Sequence, residues 1–229
     1  MSIQNNIEQI RSRIAAACAR SGRNPAEVRL VAVSKTKPAA MINEAAAAGQ
    51  QLFGENYVQE FADKIDQVTA PVEWHFIGNL QSNKVKYLRG KVAMIHSLDR
   101  LSLAAEISRQ WGKIDRTLDV LLEVNLGQED SKAGTAETAL FELARQVAEL
   151  PHLRVCGLMA LPPWLDDAEE VRPYFRRLHQ LSEQIKTLQI PGVEMRELSM
   201  GMSHDFEVAV EEGATLVRVG TAIFGERTR

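Results

Sequence analysis

Short runs of apolar and β-branched residues alternate along the chain with longer stretches whose apolar positions recur at steps of three and four. These two patterns mark buried strands and one-faced helices respectively. The first stretch sets Ile3, Ile7, Ile10, Ile14 and Cys18 on one stripe behind Ser2, a favourable N-cap, and predicts a helix ahead of any strand. Residues 29–35 then read as a strand, Pro38 breaks it, and the alanine-rich stretch 41–48 reads as a helix closing at Gly49. The unit recurs to the end of the chain. Strand 51–54 precedes helix 56–68, 73–78 precedes a helix near 83–88, and 92–97 precedes 101–111. Strand 118–125 precedes helix 135–150, 153–159 precedes 168–188, 195–199 precedes 204–212, and 216–221 precedes a short tail.

Eight strands separated by helices, with near-continuous apolar runs, indicate a parallel sheet covered by helices on its outer face. The predicted fold is α/β: a single (β/α)8 TIM barrel with an extra N-terminal helix, one domain over residues 1–229. An open doubly wound sheet is the alternative. Its Gly-rich dinucleotide fingerprint is missing after the first strand, where Ser34-Lys35-Thr36-Lys37-Pro38 stands. Pro162-Pro163 reads as loop punctuation between the sixth strand and its helix.

Composition narrows the function classes. A net charge of -3 gives no general attraction to nucleic acid, so a small-molecule ligand is expected. Cys18 and Cys156 offer neither a disulfide framework nor ligand spacing and read as reduced, buried thiols. With no signal-peptide pattern at the start and no membrane-spanning run, the expectation is a cytoplasmic protein without membrane partners. His75, His96, His152, His179 and His204 show no pair at metal-ligand spacing, so no metal site is expected.

Chemistry in such barrels sits at the carboxyl ends of the strands. Those ends present Lys35, Glu55-Asn56, His75 with Gly78-Asn79, His96-Ser97, Asn125, Met159, Ser199-Met200-Gly201, and Arg218 with Gly220-Thr221. Each has a plain reading: a solvated lysine, core or rim histidines, a helix-capping asparagine. Lys35 stands out because it ends an apolar strand, where a low dielectric lowers an amine's pKa and frees it to form a Schiff base with a carbonyl. Lys37 would push the same way unless it turns to solvent. Ser199 to Ser203 lead toward the helix at 204–212, and Gly220-Thr221 add donors where backbone must approach closely, so both segments suit a phosphate. The competing reading is a serine cap and an ordinary turn.

Across essentially its full length the chain resembles the pyridoxal phosphate homeostasis protein family (YggS/PROSC), whose barrel is similar to the N-terminal domain of alanine racemase. The resemblance is carried by VAVSKTKP from Val31, FGENYVQE from Phe53, WHFIG from Trp74 with LQSNK from Leu80, GLMA from Gly157, LSMGMS from Leu198 and VRVGTAIFG from Val217. It implies pyridoxal 5'-phosphate as cofactor, a Schiff base on Lys35, Asn56 beside the cofactor, a phosphate site from Ser199, Ser203, Gly220 and Thr221, Gly201 among the cofactor-binding residues, and Arg218 facing the pyridine nitrogen. His204 is read as a surface variation in the first turn of its helix.

An arginine at the pyridine nitrogen donates to an unprotonated ring and weakens the electron sink that carbanion chemistry uses. Tyr57, Tyr87 and Tyr174 all fall in predicted helices, outside the context of a racemase's second base. The expected role is therefore a carrier without catalytic residues that buffers the cofactor in the cell or delivers it to apo-enzymes. Lys37, Lys84 and Lys132 are candidate secondary acceptors. The alternatives are a pyridoxal phosphate-dependent amino-acid racemase, a lysine Schiff-base aldolase, and a cofactor-free interaction module on an inherited fold.

Overall fold

A computed structural model describes residues 2–127 and 133–226. Lys132 lies outside them. The strands are β1 (Arg29–Val33), β2 (Leu52–Glu55), β3 (Glu73–Phe76), β4 (Met94–Leu98), β5 (Leu118–Asn125), β6 (Thr135–Ala136), β7 (Leu153–Ala160), β8 (Val193–Ser199) and β9 (Leu216–Val219). Every pairing is parallel. The order β4-β3-β2-β1-β9-β8-β7-β5 is closed by β4 against β5, so the eight predicted strands form a barrel without an edge. β6 lies outside that ring. It pairs with the end of β5 at Val124 and Asn125, and takes the two residues that the periodicity assigns to the start of the following helix.

The helices are α1 (Ile3–Ser21), α2 (Ala39–Ala47), α3 (Val58–Lys64), α4 (Leu101–Gly112), α5 (Glu137–Ala148), α6 (Arg172–Thr187), α7 (Phe206–Glu211) and α8 (Thr221–Phe224). α1 buries the predicted stripe, and the Ser2 hydroxyl accepts from the Asn5 amide at 3.2 Å as its cap. It packs on α2, α7 and α8. The last two are short, so α1 supplies the outer cover the barrel would otherwise lack beside β9 and β1. Residues 82–87 form a 3-10 turn instead of an α-helix, and 168–171 form another before α6 begins with Pro173 in its first turn, where a missing N–H costs nothing.

Successive strand residues face opposite sides, and in-register partners share a side. Val31, Leu52, Met94, Leu121, Cys156, Met159 and Leu216 meet inside the barrel, while residues such as Phe53, Phe76 and Ile95 pack outward beneath the helices. Each such fully buried large side chain stabilises the fold by about 1.5–3 kcal/mol. Cys18 and Cys156 are free and buried, and burial pushes the Cys156 thiol up to about 12. Among the described residues no helix is long and apolar enough to cross a membrane.

Candidate functional site

A cavity of about 370 Å³ near Gln50, another of about 410 Å³ near Glu149 and shallower hollows line the outside of the barrel, but one of about 670 Å³ opens at the carboxyl ends of the strands. It brings together Lys35, Asn56, Ser203, Arg218, Gly220 and Thr221, six of the residues singled out in the sequence. Val33, Ile77 and Leu161 give it an apolar wall.

Lys35 is half-buried and sits two residues beyond the end of β1, in a turn, not on the strand itself. Both neighbours are anchored. The Ser34 hydroxyl donates to Glu55 Oε1 at 2.7 Å, and the Thr36 amide donates to Glu60 Oε1 at 2.5 Å, with Thr36 in the left-handed region at φ 62. Lys37 turns away from the cavity: its Nζ donates to the carbonyls of Phe224, Gly225 and Glu226 at 3.2, 3.0 and 2.8 Å and caps the end of α8. Its charge is thus committed to a helix end, where a cation is favoured. Lys84 lies elsewhere, in the 3-10 turn, with its ammonium 5.7 Å from the Tyr87 ring.

Asn56 follows β2 and lines the cavity, and its buried Oδ1 has no hydrogen-bond partner in the protein. The close approach of β3's end makes this position. A Cβ on Gly78 would overlap the Asn56 carbonyl oxygen, and the Ser97 hydroxyl donates to the Gly78 carbonyl at 2.5 Å.

Arg218 points inward from β9 and is 4% exposed. Its Nη1 donates to Ser199 Oγ at 2.5 Å and its Nη2 to the Ala160 carbonyl at 2.9 Å. Burial lowers its pKa to about 10, against the attraction of Glu123 and Asp205, so it remains a cation at neutral pH. Ser199 and Gly201 do not line the cavity. Ser199 is fully buried beneath Arg218, and Gly201, at φ +88, accepts from the Arg218 amide at 3.0 Å; a Cβ there would stand 2.5 Å from that of Ala209.

The segment after Gly201 departs from its predicted course. α7 starts at Phe206, two residues late, because Asp205 folds back to accept from the Met202 amide at 2.6 Å. His204 is therefore in the preceding turn and not in a helix. It lines the cavity and stacks on Trp164 with ring centroids 4.8 Å apart. Trp164, 67% exposed, and Leu161 form a rim that periodicity does not reveal, since both stand in the coil after β7. Gly220 is the N-cap of α8, and the start of that short helix faces the cavity through Gly220 and Thr221.

None of Tyr57, Tyr87 and Tyr174 lines the cavity: Tyr57 precedes α3, Tyr87 ends the 3-10 turn, and Tyr174 lies on α6. Among the described residues no group of three or more His, Cys, Asp or Glu could hold a metal ion. What the cavity offers is one amine, one cation, an unsatisfied amide oxygen, hydroxyls and close backbone at a helix start, against an apolar wall. Such a set suits a flat, phosphorylated carbonyl compound.

The family profile described as alanine racemase, N-terminal domain, matches residues 2–228. The chain is 48% identical over 228 residues to the pyridoxal phosphate homeostasis protein of Aquifex aeolicus, covering 99% of each. Among solved structures, an unknown protein from Bifidobacterium adolescentis superposes with a TM-score of 0.92 at 36% identity, over 97% of this chain and 94% of that one. PipY of Synechococcus elongatus PCC7942, solved with PLP bound, gives a TM-score of 0.83 at 38% identity, over 94% of this chain and 100% of that one.

Proposed function

The chain belongs to the alanine racemase N-terminal domain family, and from that premise we propose that it binds pyridoxal 5'-phosphate in the barrel-mouth cavity, holds it as a Schiff base on Lys35, and serves intracellular cofactor homeostasis by buffering it and delivering it to apo-enzymes, without conventional catalysis. The relatives named for pyridoxal phosphate homeostasis and the PLP-bound PipY structure support the cofactor. One observation carries the site assignment: Lys35, Asn56, Ser203, Arg218, Gly220 and Thr221 share a single cavity.

The residues fit the group. Asn56 Oδ1 lacks a partner that a polar ligand in the cavity would supply. Val33, Ile77 and Leu161 suit the faces of a flat ring, and Ser203, Thr221 and the backbone at Gly220 suit a phosphate at the start of α8. A Cβ on Gly220 would stand 3.1 Å from the Val33 carbonyl, so glycine keeps that approach open. The Lys35 amine condenses with the aldehyde and releases one water. When bound, the cofactor supplies a reactive imine and an electron-accepting ring.

Arg218 argues for a carrier. Its guanidinium stays charged at neutral pH and can only donate, so at the ring nitrogen it favours the unprotonated pyridine, the weaker electron sink. The cavity also opens at a rim with exposed Trp164 and Leu161, which leaves it accessible to water and amines that release the cofactor.

The test is an absorption spectrum of protein loaded with pyridoxal phosphate, then borohydride reduction and peptide mapping. A visible band fixed as an adduct on Lys35, together with faster reactivation of an apo-enzyme by the loaded protein than by free cofactor, is expected. An adduct elsewhere overturns the site. Alanine racemisation that disappears in Lys35→Ala overturns the non-catalytic reading.

A further inference from the structure

Five side chains inside the barrel form one unbroken run of hydrogen bonds from its amino-terminal rim to the cavity. Glu73, the half-exposed first residue of β3, lies 2.8 Å from His75 Nε2, and His75 Nδ1 lies 2.8 Å from His96 Nε2. His96 Nδ1 lies 2.9 Å from Ser199 Oγ, which lies 2.5 Å from Arg218 Nη1 on the cavity wall. The three middle members are 1%, 0% and 0% exposed, so water does not compete for their bonds.

The two ends dictate where the protons sit. Arginine only donates and an ionised carboxylate only accepts, whereas a neutral imidazole or a hydroxyl does each once along such a run. Burial holds both imidazoles below the usual histidine range, and the hydrogen bond from His75 holds Glu73 below the usual carboxylate range, so the neutral-pH species are fixed. One arrangement then satisfies every link. Arg218 donates to Ser199, Ser199 to His96 Nδ1, His96 Nε2–H to His75 Nδ1, and His75 Nε2–H to Glu73. Any other assignment sets two lone pairs or two protons face to face at one of the links, and with both histidines as Nδ1–H tautomers that clash falls between His75 Nε2 and Glu73.

We propose that His75, His96 and Ser199 are positioning residues for Arg218, and that Glu73, at the opposite end of the barrel from the cavity, is the anion that orders their protons. The inference rests on the reading that Arg218 faces the cofactor's ring nitrogen. With Nη1 tied to Ser199 and Nη2 to the Ala160 carbonyl, the guanidinium plane is locked, and its remaining N–H groups present one fixed geometry to a ligand. Without Glu73, His75 can turn its proton toward His96. The His96 proton then moves to the Ser199 side, and the lone pair that Ser199 aligns with Arg218 is no longer specified. Among the described residues, the charges that act on His75 are Glu73, Arg29 and Glu197, those that act on His96 are Arg218 and Arg29, and Glu73 is the one carboxylate bonded to the run.

The test has two arms. Nitrogen-15 NMR of the protein without cofactor is expected to show His75 and His96 both as neutral Nε2–H tautomers, and Glu73→Ala is expected to mix the tautomers of His75. In cofactor titrations Glu73→Ala is expected to weaken binding about fivefold and shift the absorption band, with Glu73→Gln in between. An Nδ1–H tautomer at either histidine of the wild type overturns the proposal, as does Glu73→Ala with unchanged band and affinity. If the wild type takes up no cofactor, the cofactor reading fails instead, and the tautomers decide the proton order alone.

Discussion

Lys64 Nζ on α3 donates to the Ser34 carbonyl at 2.9 Å, so the residue before Lys35 is held by a helix that follows the next strand. The same ammonium pairs with Glu55 Oε1 at 2.7 Å and Glu60 Oε1 at 2.7 Å. Glu60 in turn accepts from the Thr36 amide. One buried cation thus fixes both flanks of the lysine turn. Removing one partner of a buried pair leaves the other uncompensated, and burial already pushes the Glu55 carboxyl up. Lys64→Met is expected to cost about 3–5 kcal/mol in urea unfolding, and Lys64→Met with Glu55→Leu to recover most of it. Additive losses in that cycle would show that the two residues do not act as a pair.

Asn56 carries the opposite trade. Its Oδ1 is buried without a partner, a cost of about 1–3 kcal/mol to the protein without ligand. Asn56→Ala is expected to leave the cofactor-free protein as stable as wild type or about 1 kcal/mol more stable, while weakening cofactor binding about tenfold. Thermal unfolding with and without cofactor separates the two effects. A variant that loses stability but keeps its affinity assigns Asn56 to the scaffold.

Much of the barrel is legible because each strand is a near-continuous apolar run and most helices carry their own period. The α1 stripe, the eight barrel strands and the gathering of Lys35, Asn56, Arg218 and Gly220 at one rim follow from where apolar runs stop. Long-range partners were not legible. Ser199 ends its strand as predicted but faces inward beneath Arg218, a matter of barrel register that no local spacing records. Asp205 delays α7 by bonding the Met202 amide, which swings His204 onto Trp164 some forty residues earlier in the chain. Lys37 resembled a second active amine, yet it is consumed by the carbonyls at the end of α8. Spacing leaves His75 and His96 as core or rim residues; they lie in the core, and their link through Ser199 spans three strands.

Gly78 is set by close packing and not by a left-handed backbone. A Cβ there would overlap the Asn56 carbonyl oxygen, so β3 can approach β2's end only without a side chain. Gly78→Ala is expected to destabilise the protein by about 1–3 kcal/mol and to weaken cofactor binding by displacing Asn56. Wild-type affinity in a destabilised Gly78→Ala would mean that the Asn56 position tolerates the shift.

Glu123 gives a distinct pH signature. It is 3% exposed on β5, and burial, then the nearby Asp99 charge, raise its pKa to about 7 against the opposing pull of Arg218. The unfolded chain has this carboxyl near 4.5, so between the two values the folded state binds the additional proton. Stability then falls as pH rises through that window: the contribution is complete below 4.5 and lost above about 7. The shift corresponds to a cost of about 3 kcal/mol for holding the ionised form. Glu123→Gln keeps the shape and cannot ionise. Its stability relative to wild type is therefore expected to rise by up to about 3 kcal/mol between pH 4.5 and pH 8 and to be flat below that window. The burial of His75 and His96 acts with the other sign, because the unfolded state gains their protons as pH falls below 6.5. That term is common to both proteins and cancels in their difference. A pH-independent difference would place the Glu123 carboxyl at its ordinary value and leave Arg218 with a fully ionised neighbour at neutral pH.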